Sequence, residues 1–341
     1  MRGHQVTIKD IAKILHISPS TVSRALKDHP DINPQTKKNV QDLAKKLNYK
    51  PNQIALNLLQ QESKLIGVII PEIIHYFFST VISGIEKIAN ESGYHIIITQ
   101  SNESYHKEVE NIQALLSSNI DGFIITMAKT TLNFDHFKNV EEIGVPMVFV
   151  DRSCDAVTAD KVLVDDFDGA YKATKHLIEN GCKNIIHLAG PQNLDIGIQR
   201  KEGFLSALNN SNIPINSYSV QICDTHDHAL KLIPELLSRH NNIDGIFAVN
   251  DLTAIGAMKA VKSMNKKVPD DIAISGFTNS HISYIADPEL TTVDQKGFEM
   301  GQHAARMILK RIHSDENYGP VTTILNTDLI IRKSSLKRKL N

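Results

Sequence analysis

The stretch Thr7-Ile8-Lys9-Asp10-Ile11-Ala12-Lys13-Ile14-Leu15-His16-Ile17-Ser18-Pro19-Ser20-Thr21-Val22-Ser23-Arg24-Ala25-Leu26 reads as two short helices around one tight turn. Thr7 and Asp10 have the spacing of a capping box: the hydroxyl accepts from the N–H three residues on, and the carboxylate accepts from the N–H of the cap. Ile8, Ile11, Ala12 and Leu15 then recur at i, i+3, i+4 and i+7, one apolar face of a helix. Ser18-Pro19 opens the next helix, because serine satisfies an orphan N–H and proline at the first helical position lacks only a donor that had no partner. Val22, Ala25 and Leu26 face inward, leaving Ser20, Thr21, Ser23 and Arg24 on or beside the outer side. A third helix, capped by Asn33-Pro34, buries Val40, Leu43, Ala44 and Leu47. The three together make a helix-turn-helix unit.

This segment is also basic. Up to Gln61, ten lysines and arginines stand against four aspartates, an excess of six; the 341-residue chain carries −1 overall, so the remainder holds −7. A basic module on an acidic body predicts a polyanion partner for the module alone. The second helix suits a major groove: its hydroxyls fit phosphates and base edges, and Arg24 can bridge guanine O6 and N7. Beyond Pro51, Asn52 can cap one more helix of about two turns, with Ile54, Ala55, Leu58 and Leu59 along one side. Helix nucleation is costly, so a segment this short forms only when its apolar side is covered, as by a twin helix from a second subunit together with DNA.

Val6-Thr7-Ile8-Lys9-Asp10-Ile11-Ala12, Ser20-Thr21-Val22-Ser23-Arg24-Ala25-Leu26 and Leu47-Asn48-Tyr49-Lys50-Pro51-Asn52 resemble the headpiece of the lactose-repressor/galactose-repressor (LacI/GalR) family of bacterial transcription regulators. The resemblance implies that Pro19, Ser20 and Arg24 read bases and that Thr21, Asn33, Thr36 and Tyr49 meet phosphates. It places Thr7 and Ser23 on the same DNA-binding surface, and Asn52 and Ala55 on the short hinge helix, from which Leu58 wedges into the minor groove and bends the duplex. The chain has its own Lys27-Asp28-His29-Pro30-Asp31 between the second and third helices, so the operator sequence does not carry over from relatives.

From Leu65 the pattern changes. Apolar runs of strand length at 65–70, 95–99, 122–126, 147–150, 161–164, 184–188, 219–223, 245–249 and 272–276 alternate with amphipathic stretches such as 79–92, 107–117, 169–180 and 252–263. This is a βαβ signature, and about 275 residues exceed a single sheet, so two lobes with a cleft between them are expected. Ligands in such folds sit at the carboxyl ends of strands, where Thr126 ends one of the runs and Asp151 follows another. A composition of 41% hydrophobic and 22% charged residues excludes wholesale disorder. No apolar run approaches the ~18 residues of a membrane span. The first seven residues lack the apolar region of a secretory signal, which predicts a cytoplasmic protein with no membrane partner. Cys154, Cys182 and Cys223 are odd in number and without C-x-x-C spacing, so neither a disulfide framework nor a cysteine zinc site is expected. Phosphate-loop, dinucleotide, nucleophile-elbow and H-E-x-x-H motifs are missing, which argues against an enzyme. His226-Asp227-His228 lacks a matched third ligand and is read as solvated loop; no metal or cofactor is expected.

The resemblance continues through Ile66-Gly67-Val68-Ile69-Ile70-Pro71, Asp151-Arg152, Ala189-Gly190-Pro191, Arg200-x-x-Gly203-Phe204, Ala248-Val249-Asn250-Asp251, Leu290-Thr291-Thr292-Val293 and Leu329-Ile330-Ile331-Arg332. It implies an N-terminal all-α helix-turn-helix headpiece plus an α/β periplasmic-binding-protein-like sensor of two doubly wound parallel-sheet lobes. The division expected is headpiece 1–50, hinge helix and linker 51–63, and sensor 64–341. Within the sensor, lobe 1 is about 64–163 and 292–319, and lobe 2 about 164–291 and 320–341. The implied effector residues are Phe77, Phe78, Thr126, Asp151, Arg200, Asn250, Thr278 and Asn279. Arg200 offers fixed donors for hydroxyls or an anion, Asp151 and Asn250 can bridge vicinal hydroxyls, and Phe77 or Phe78 can stack on a sugar's C–H face. Alternatives are that the phenylalanines are core, that Asp151 caps a loop, and that Arg200 pairs with a carboxylate. Gly276-Phe277-Thr278-Asn279 has Thr278 and Asn279 where many relatives carry aspartate, and the chain has no tryptophan, so the site is less anionic and lacks an indole wall. A neutral or acidic saccharide leads as effector, with a purine behind it. The expected whole is a homodimeric regulator, most simply a repressor, on a pseudo-palindromic double-stranded DNA operator. A solute receptor and a metabolic enzyme with an appended DNA-binding domain are the rivals.

Overall fold

The computed structural model describes residues 6–49, 62–314 and 319–337. The chain divides into two compact units between Lys64 and Leu65. In the first, α1 (Ile8–Leu15), α2 (Pro19–Leu26) and α3 (Pro34–Lys46) pack around Ile11, Ala12, Val22, Ala25, Val40 and Ala44. The capping box is formed: Thr7 Oγ1 accepts from the Asp10 amide at 3.3 Å, and the Asp10 carboxylate accepts from the Thr7 amide at 2.9 Å. His16, in the left-handed region at φ 54°, ends α1 and starts the turn. The inserted 27–31 loop is pinned by a Lys37–Asp28 ion pair of 2.8 Å.

The second unit holds two six-stranded sheets. The first sheet, lobe 1, has the order β11-β5-β4-β3-β1-β2 and is parallel throughout. It comprises β1 (Leu65–Ile70), β2 (His95–Gln100), β3 (Gly122–Ile125), β4 (Met147–Val150), β5 (Asp160–Val164) and β11 (Thr322–Leu325). One face is covered by α4 (Tyr76–Glu91) and α12 (Gly297–Ile312), the other by α5 (Tyr105–Ser117) and α6 (Asp135–Ile143). Gly84 and Gly301 let α4 and α12 touch: a Cβ at Gly84 would lie 2.1 Å from the Phe298 carbonyl, and one at Gly301 2.0 Å from that of Val81.

The second sheet, lobe 2, runs β12-β10-β9-β8-β6-β7, parallel except for β12 against β10. Its strands are β6 (Ile185–Ala189), β7 (Val220–Ile222), β8 (Gly245–Ala248), β9 (Ala273–Thr278), β10 (Thr291–Asp294) and β12 (Asp328–Ile330). The helices are α7 (Asp166–Glu179), α8 (Asp195–Asn210), α9 (His226–Arg239), α10 (Asp251–Ser263) and the short α11 (Ile282–Ile285).

Two expected lobe boundaries move. Thr292, expected to begin the return to lobe 1, lies in lobe 2: β10 pairs in parallel with β9, Thr292 opposite Gly276, and its hydroxyl donates to Asp251 Oδ1 at 2.5 Å. The crossing therefore follows Asp294. Residues 320–325, expected in lobe 2, belong to lobe 1, because β11 completes that sheet against β5. Strands β10, β11 and β12 carry three or four residues each, too few for a two-residue period to stand out from loop sequence.

His187, on β6, is fully buried, stacked 4.6 Å from the Phe247 ring, with Nδ1 donating to the Phe247 carbonyl at 3.1 Å. Burial pulls its pKa from 6.5 down to about 3. The unfolded chain then binds a proton that the native state refuses, so this contribution is complete above pH 6.5 and is lost as pH falls toward 3. Between pH 7 and pH 5 wild type is expected to lose about 2 kcal/mol more than His187→Phe, from 1.4 kcal/mol per pH unit below the unfolded pKa. Urea unfolding at the two pH values checks this; equal losses would refute it.

Candidate nucleic-acid interface and ligand cavity

On the headpiece, Thr7, Pro19, Ser20, Arg24 and Asn33 are exposed, while Thr21, Ser23, Thr36 and Tyr49 are half-buried. Ser18 Oγ caps α2 by accepting from the Thr21 amide at 3.1 Å, and it also meets the hydroxyls of Ser20 and Thr21 at 2.7 and 2.8 Å. Asn33 caps α3 through its Oδ1, which accepts from the Gln35 amide at 2.8 Å. Tyr49 packs on the headpiece core, and burial raises the pKa of its phenol. Arg24 differs: among the described residues its guanidinium has no hydrogen-bond or ion-pair partner, although it stands on α2 beside Ser20 and Thr21. An uncommitted planar cation on an exposed helix is a group available to an incoming acceptor. Asn52, Ala55 and Leu58, with the hinge helix expected to carry them, lie outside the described residues.

Between the two lobes lies a cavity of about 520 Å³, within the range of small-molecule sites, about 300–1,000 Å³. It is walled by the carboxyl ends of strands from both sheets, where successive loops diverge and leave room. Phe77, Phe78, Asp151, Arg200, Asn250 and Thr278 line it as expected. The two phenylalanines make an edge-to-face pair with centroids 5.2 Å apart and, besides lining the cavity, are core residues, 7% and 5% exposed.

Two expected residues are elsewhere. Thr126 is buried beyond the end of β3, its amide donating to the Ile69 carbonyl, and does not reach the cavity wall; the chain arrives there only at Lys129. Asn279 is held away by structural bonds: its Nδ2 donates to Asp294 Oδ2 at 3.1 Å, and its Oδ1 accepts from Arg332 at 2.8 Å. Thr278, at φ 133°, is a β-branched residue in the positive-φ region, strain that recurs at ligand sites.

Asp151 follows β4 with φ 67°, another left-handed residue. Its carboxylate is almost fully buried, with Oδ1 accepting from Gln295 Nε2 at 3.2 Å. Burial pushes its pKa up, and the charges of Arg152 and Arg200 oppose the rise. Arg200, on α8, is 4% exposed. Its Nε donates to Asp166 Oδ1 at 2.7 Å and its Nη1 to the Val249 carbonyl at 2.7 Å, and the guanidinium lies 3.8 Å from the Phe277 ring centroid. The carboxylate alternative for Arg200 is thus present, yet Nη2 remains buried without a partner. Burial, helped by Asp151 and opposed by Arg200, raises the Asp166 pKa to about 6.

Asn250 is committed by both ends of its amide: Oδ1 caps α10 by accepting from the Thr253 amide at 2.8 Å, and Nδ2 donates to the Asp224 carbonyl at 2.9 Å. Beside it Asp251 accepts from the Ser280 amide and hydroxyl, both at 2.7 Å, and from Thr292. Burial raises its pKa to about 6 against those bonds.

Glu103, Lys129, Arg152, Asp224 and Gln295 also line the cavity, and local sequence gives little sign of them. Only Arg152 is flagged, by its place after Asp151. Glu103 stands in a turn at φ 56°, between β2 and α5, and reaches Arg152 and the Lys129 amide only through the tertiary fold. His226 and His228 open α9, whose cap is Thr225; His226 lies at the cavity and shares its ring nitrogen with Asp227 at 2.8 Å. Lobe 2 also reaches lobe 1 directly: Leu194 and Ile196 pack into the lobe 1 core, Asn193 Nδ2 donates to the Lys129 carbonyl at 2.9 Å, and Lys129 meets Asp224 at 3.3 Å.

Comparison with known proteins covers both units. Residues 7–52 match the bacterial regulatory proteins of the lacI family, and residues 63–333 match the periplasmic binding proteins and sugar binding domain of the LacI family. A ribose operon repressor of Halalkalibacterium halodurans is 34% identical over 333 residues, 96% of this chain and 97% of that one. The crystal structure of a LacI family regulator from Enterococcus faecium with bound ribose is 30% identical, with a TM-score of 0.71 over 81% of this chain and 100% of that one. The lac repressor dimer bound to operator shares the fold, with a TM-score of 0.85 at 24% identity over 98% of this chain and 100% of that one. With a helix-turn-helix headpiece and a two-lobed sensor matched in order along nearly its whole length, this protein belongs to the LacI family of bacterial transcription regulators and is a DNA-binding regulator, not an enzyme.

Proposed function

We propose that the protein is a cytoplasmic homodimer that binds a pseudo-palindromic operator through its headpieces and changes operator affinity when a saccharide occupies the cavity between the sensor lobes. The reading keeps the division into headpiece 1–50, connector 51–63 and sensor 64–341. One observation carries the saccharide: the Phe77–Phe78 wall shares a cavity with the buried Asp151 carboxylate and the Arg152 and Arg200 guanidiniums. A sugar ring presents an apolar C–H face and a rim of hydroxyls that both donate and accept, which is what such a wall and rim complement. One relative is named for a ribose operon and another was solved with bound ribose, which supports the same class.

Thermal denaturation of the full chain against a panel of saccharides and nucleosides tests this. A ligand at 100 times its Kd should stabilise the chain by about 2.7 kcal/mol. A shift with nucleosides alone would replace the saccharide reading. For the headpiece, Arg24→Ala should weaken binding to the operator about 10–100-fold, the value of one bidentate base contact, and change non-specific DNA binding much less. A salt-matched titration on operator and random duplex measures both; equal losses would make Arg24 a phosphate contact.

A further inference from the structure

Every cation on the cavity wall is tied to a carboxylate. Arg152 Nη1 donates to both oxygens of Glu103, at 3.0 and 2.8 Å; Arg200 Nε donates to Asp166 at 2.7 Å; Lys129 Nζ meets Asp224 at 3.3 Å. Three cations line the cavity against five carboxylates, Glu72, Glu103, Asp151, Asp224 and Asp251, so the wall carries a formal −2, and Asp166 behind Arg200 adds one more negative charge. Of the two pairs whose carboxylate itself lines the cavity, Arg152–Glu103 is the more buried, at 13% and 16% side-chain exposure against 34% and 26% for Lys129 and Asp224. Burial works against the Glu103 charge, but Arg152 and the Lys129 amide hold its pKa below the ordinary value, so it stays ionised at neutral pH.

Two fully buried donor nitrogens on this wall have no partner: Arg152 Nε, 3.8 Å from Asp151 Oδ2, and Arg200 Nη2. A ligand that satisfies them must offer acceptors, while one that faces Asp151 must offer donors. A hydroxyl does both. A phosphate or carboxylate offers acceptors alone and would set its charge against Asp151 in a site with no cation to spare.

We infer that Glu103 determines ligand class: by neutralising Arg152 it makes the site select an uncharged polyhydroxyl compound and reject the phosphorylated or carboxylated form of the same compound. This rests on the cavity being the saccharide site proposed above and narrows it.

Isothermal titration of the full chain with D-ribose against D-ribose 5-phosphate, and D-glucose against D-glucuronate, tests the inference. In wild type the neutral member of whichever pair binds should be at least 100-fold tighter than the charged one. Glu103→Gln keeps an oxygen for the Lys129 amide but frees the Arg152 charge, and should tighten binding of the charged member 10-fold or more. Glu103→Gln with Arg152→Gln frees no charge and should not show that gain. A charged member that binds wild type as tightly as its neutral partner, or a Glu103→Gln ratio equal to the wild-type ratio, overturns the role of Glu103 and leaves the saccharide site standing. No binding by any of the four, together with stabilisation by nucleosides, overturns the saccharide reading and this inference with it.

Discussion

Replacing Arg200 by alanine is expected to destabilise lobe 2 by about 3–5 kcal/mol, the usual result of stranding a buried charge. In whatever fraction remains folded, ligand affinity is expected to fall more than a hundredfold. Asp166 would keep a carboxylate that is 7% exposed and has lost its 2.7 Å partner, and the Val249 carbonyl would lose a donor. The cation–π contact with Phe277 at 3.8 Å would go as well. The pH dependence identifies the cause. In wild type the Asp166 pKa is raised from 3.8 to about 6, so the native state binds a proton that the unfolded chain has released. Stability from this group is therefore fully present below pH 3.8 and declines as pH rises to about 6, and it is level above that. Without Arg200 the decline should extend to higher pH, so Arg200→Ala should regain stability when moved from pH 7.5 to pH 5.5, and Arg200→Ala with Asp166→Asn should regain it at either pH. Urea unfolding of the three proteins decides the matter; a pH-independent loss would mean that Arg200 contributes packing and not charge compensation.

Leu194→Ala is expected to weaken ligand binding about 30-fold or more while leaving each lobe folded. Leu194 immediately precedes α8 of lobe 2, yet it is 2% exposed because it is sunk in the lobe 1 core beside Ile196. A buried leucine truncated to alanine costs about 2–5 kcal/mol, and here the cost falls on the closed arrangement of the lobes. Apparent affinity scales with the fraction of molecules in the binding-competent state, so opening the lobes lowers it without touching the ligand. The neighbouring Lys129–Asp224 pair, about a third exposed, should contribute less, about 1 kcal/mol or below, and Lys129→Met should weaken binding only a few-fold. Calorimetry on both variants gives the comparison; an unchanged Kd in Leu194→Ala would show that closure is not coupled to binding.

These expectations involve residues of unequal visibility in the chain. Thr7, Ser18, Pro19 and Asn33 declare the headpiece because capping acts over two or three residues, and what caps a helix is written next to it. The long β1, β2 and β9 runs and the amphipathic helices are visible for the same reason: burial of one face repeats within a single element. The Asp151-Arg152 pair and Arg200 stand at motif positions, and the structure seats all three on the cavity wall. Thr126 and Asn279 show the limit. Both lie where strands end, and whether such a residue faces a ligand depends on how the following loop turns: Asn279 is drawn to Arg332, 53 positions away in the chain.

What the amino-acid order determined by itself was the order of the longer elements, the basic headpiece and the acidic βαβ body, because these follow from periodicity, capping and charge within short windows; its quoted motifs carried the resemblance to the family. What only the tertiary structure decided was the state of each charge and the points at which the chain changes lobes. Glu103 meets Arg152 across 49 residues, Asp166 meets Arg200 across 34, and β11 joins β5 from the far end of the chain. Coulombic pairing and desolvation depend on distance in space and on the exclusion of water, and neither is a property of neighbours along a chain.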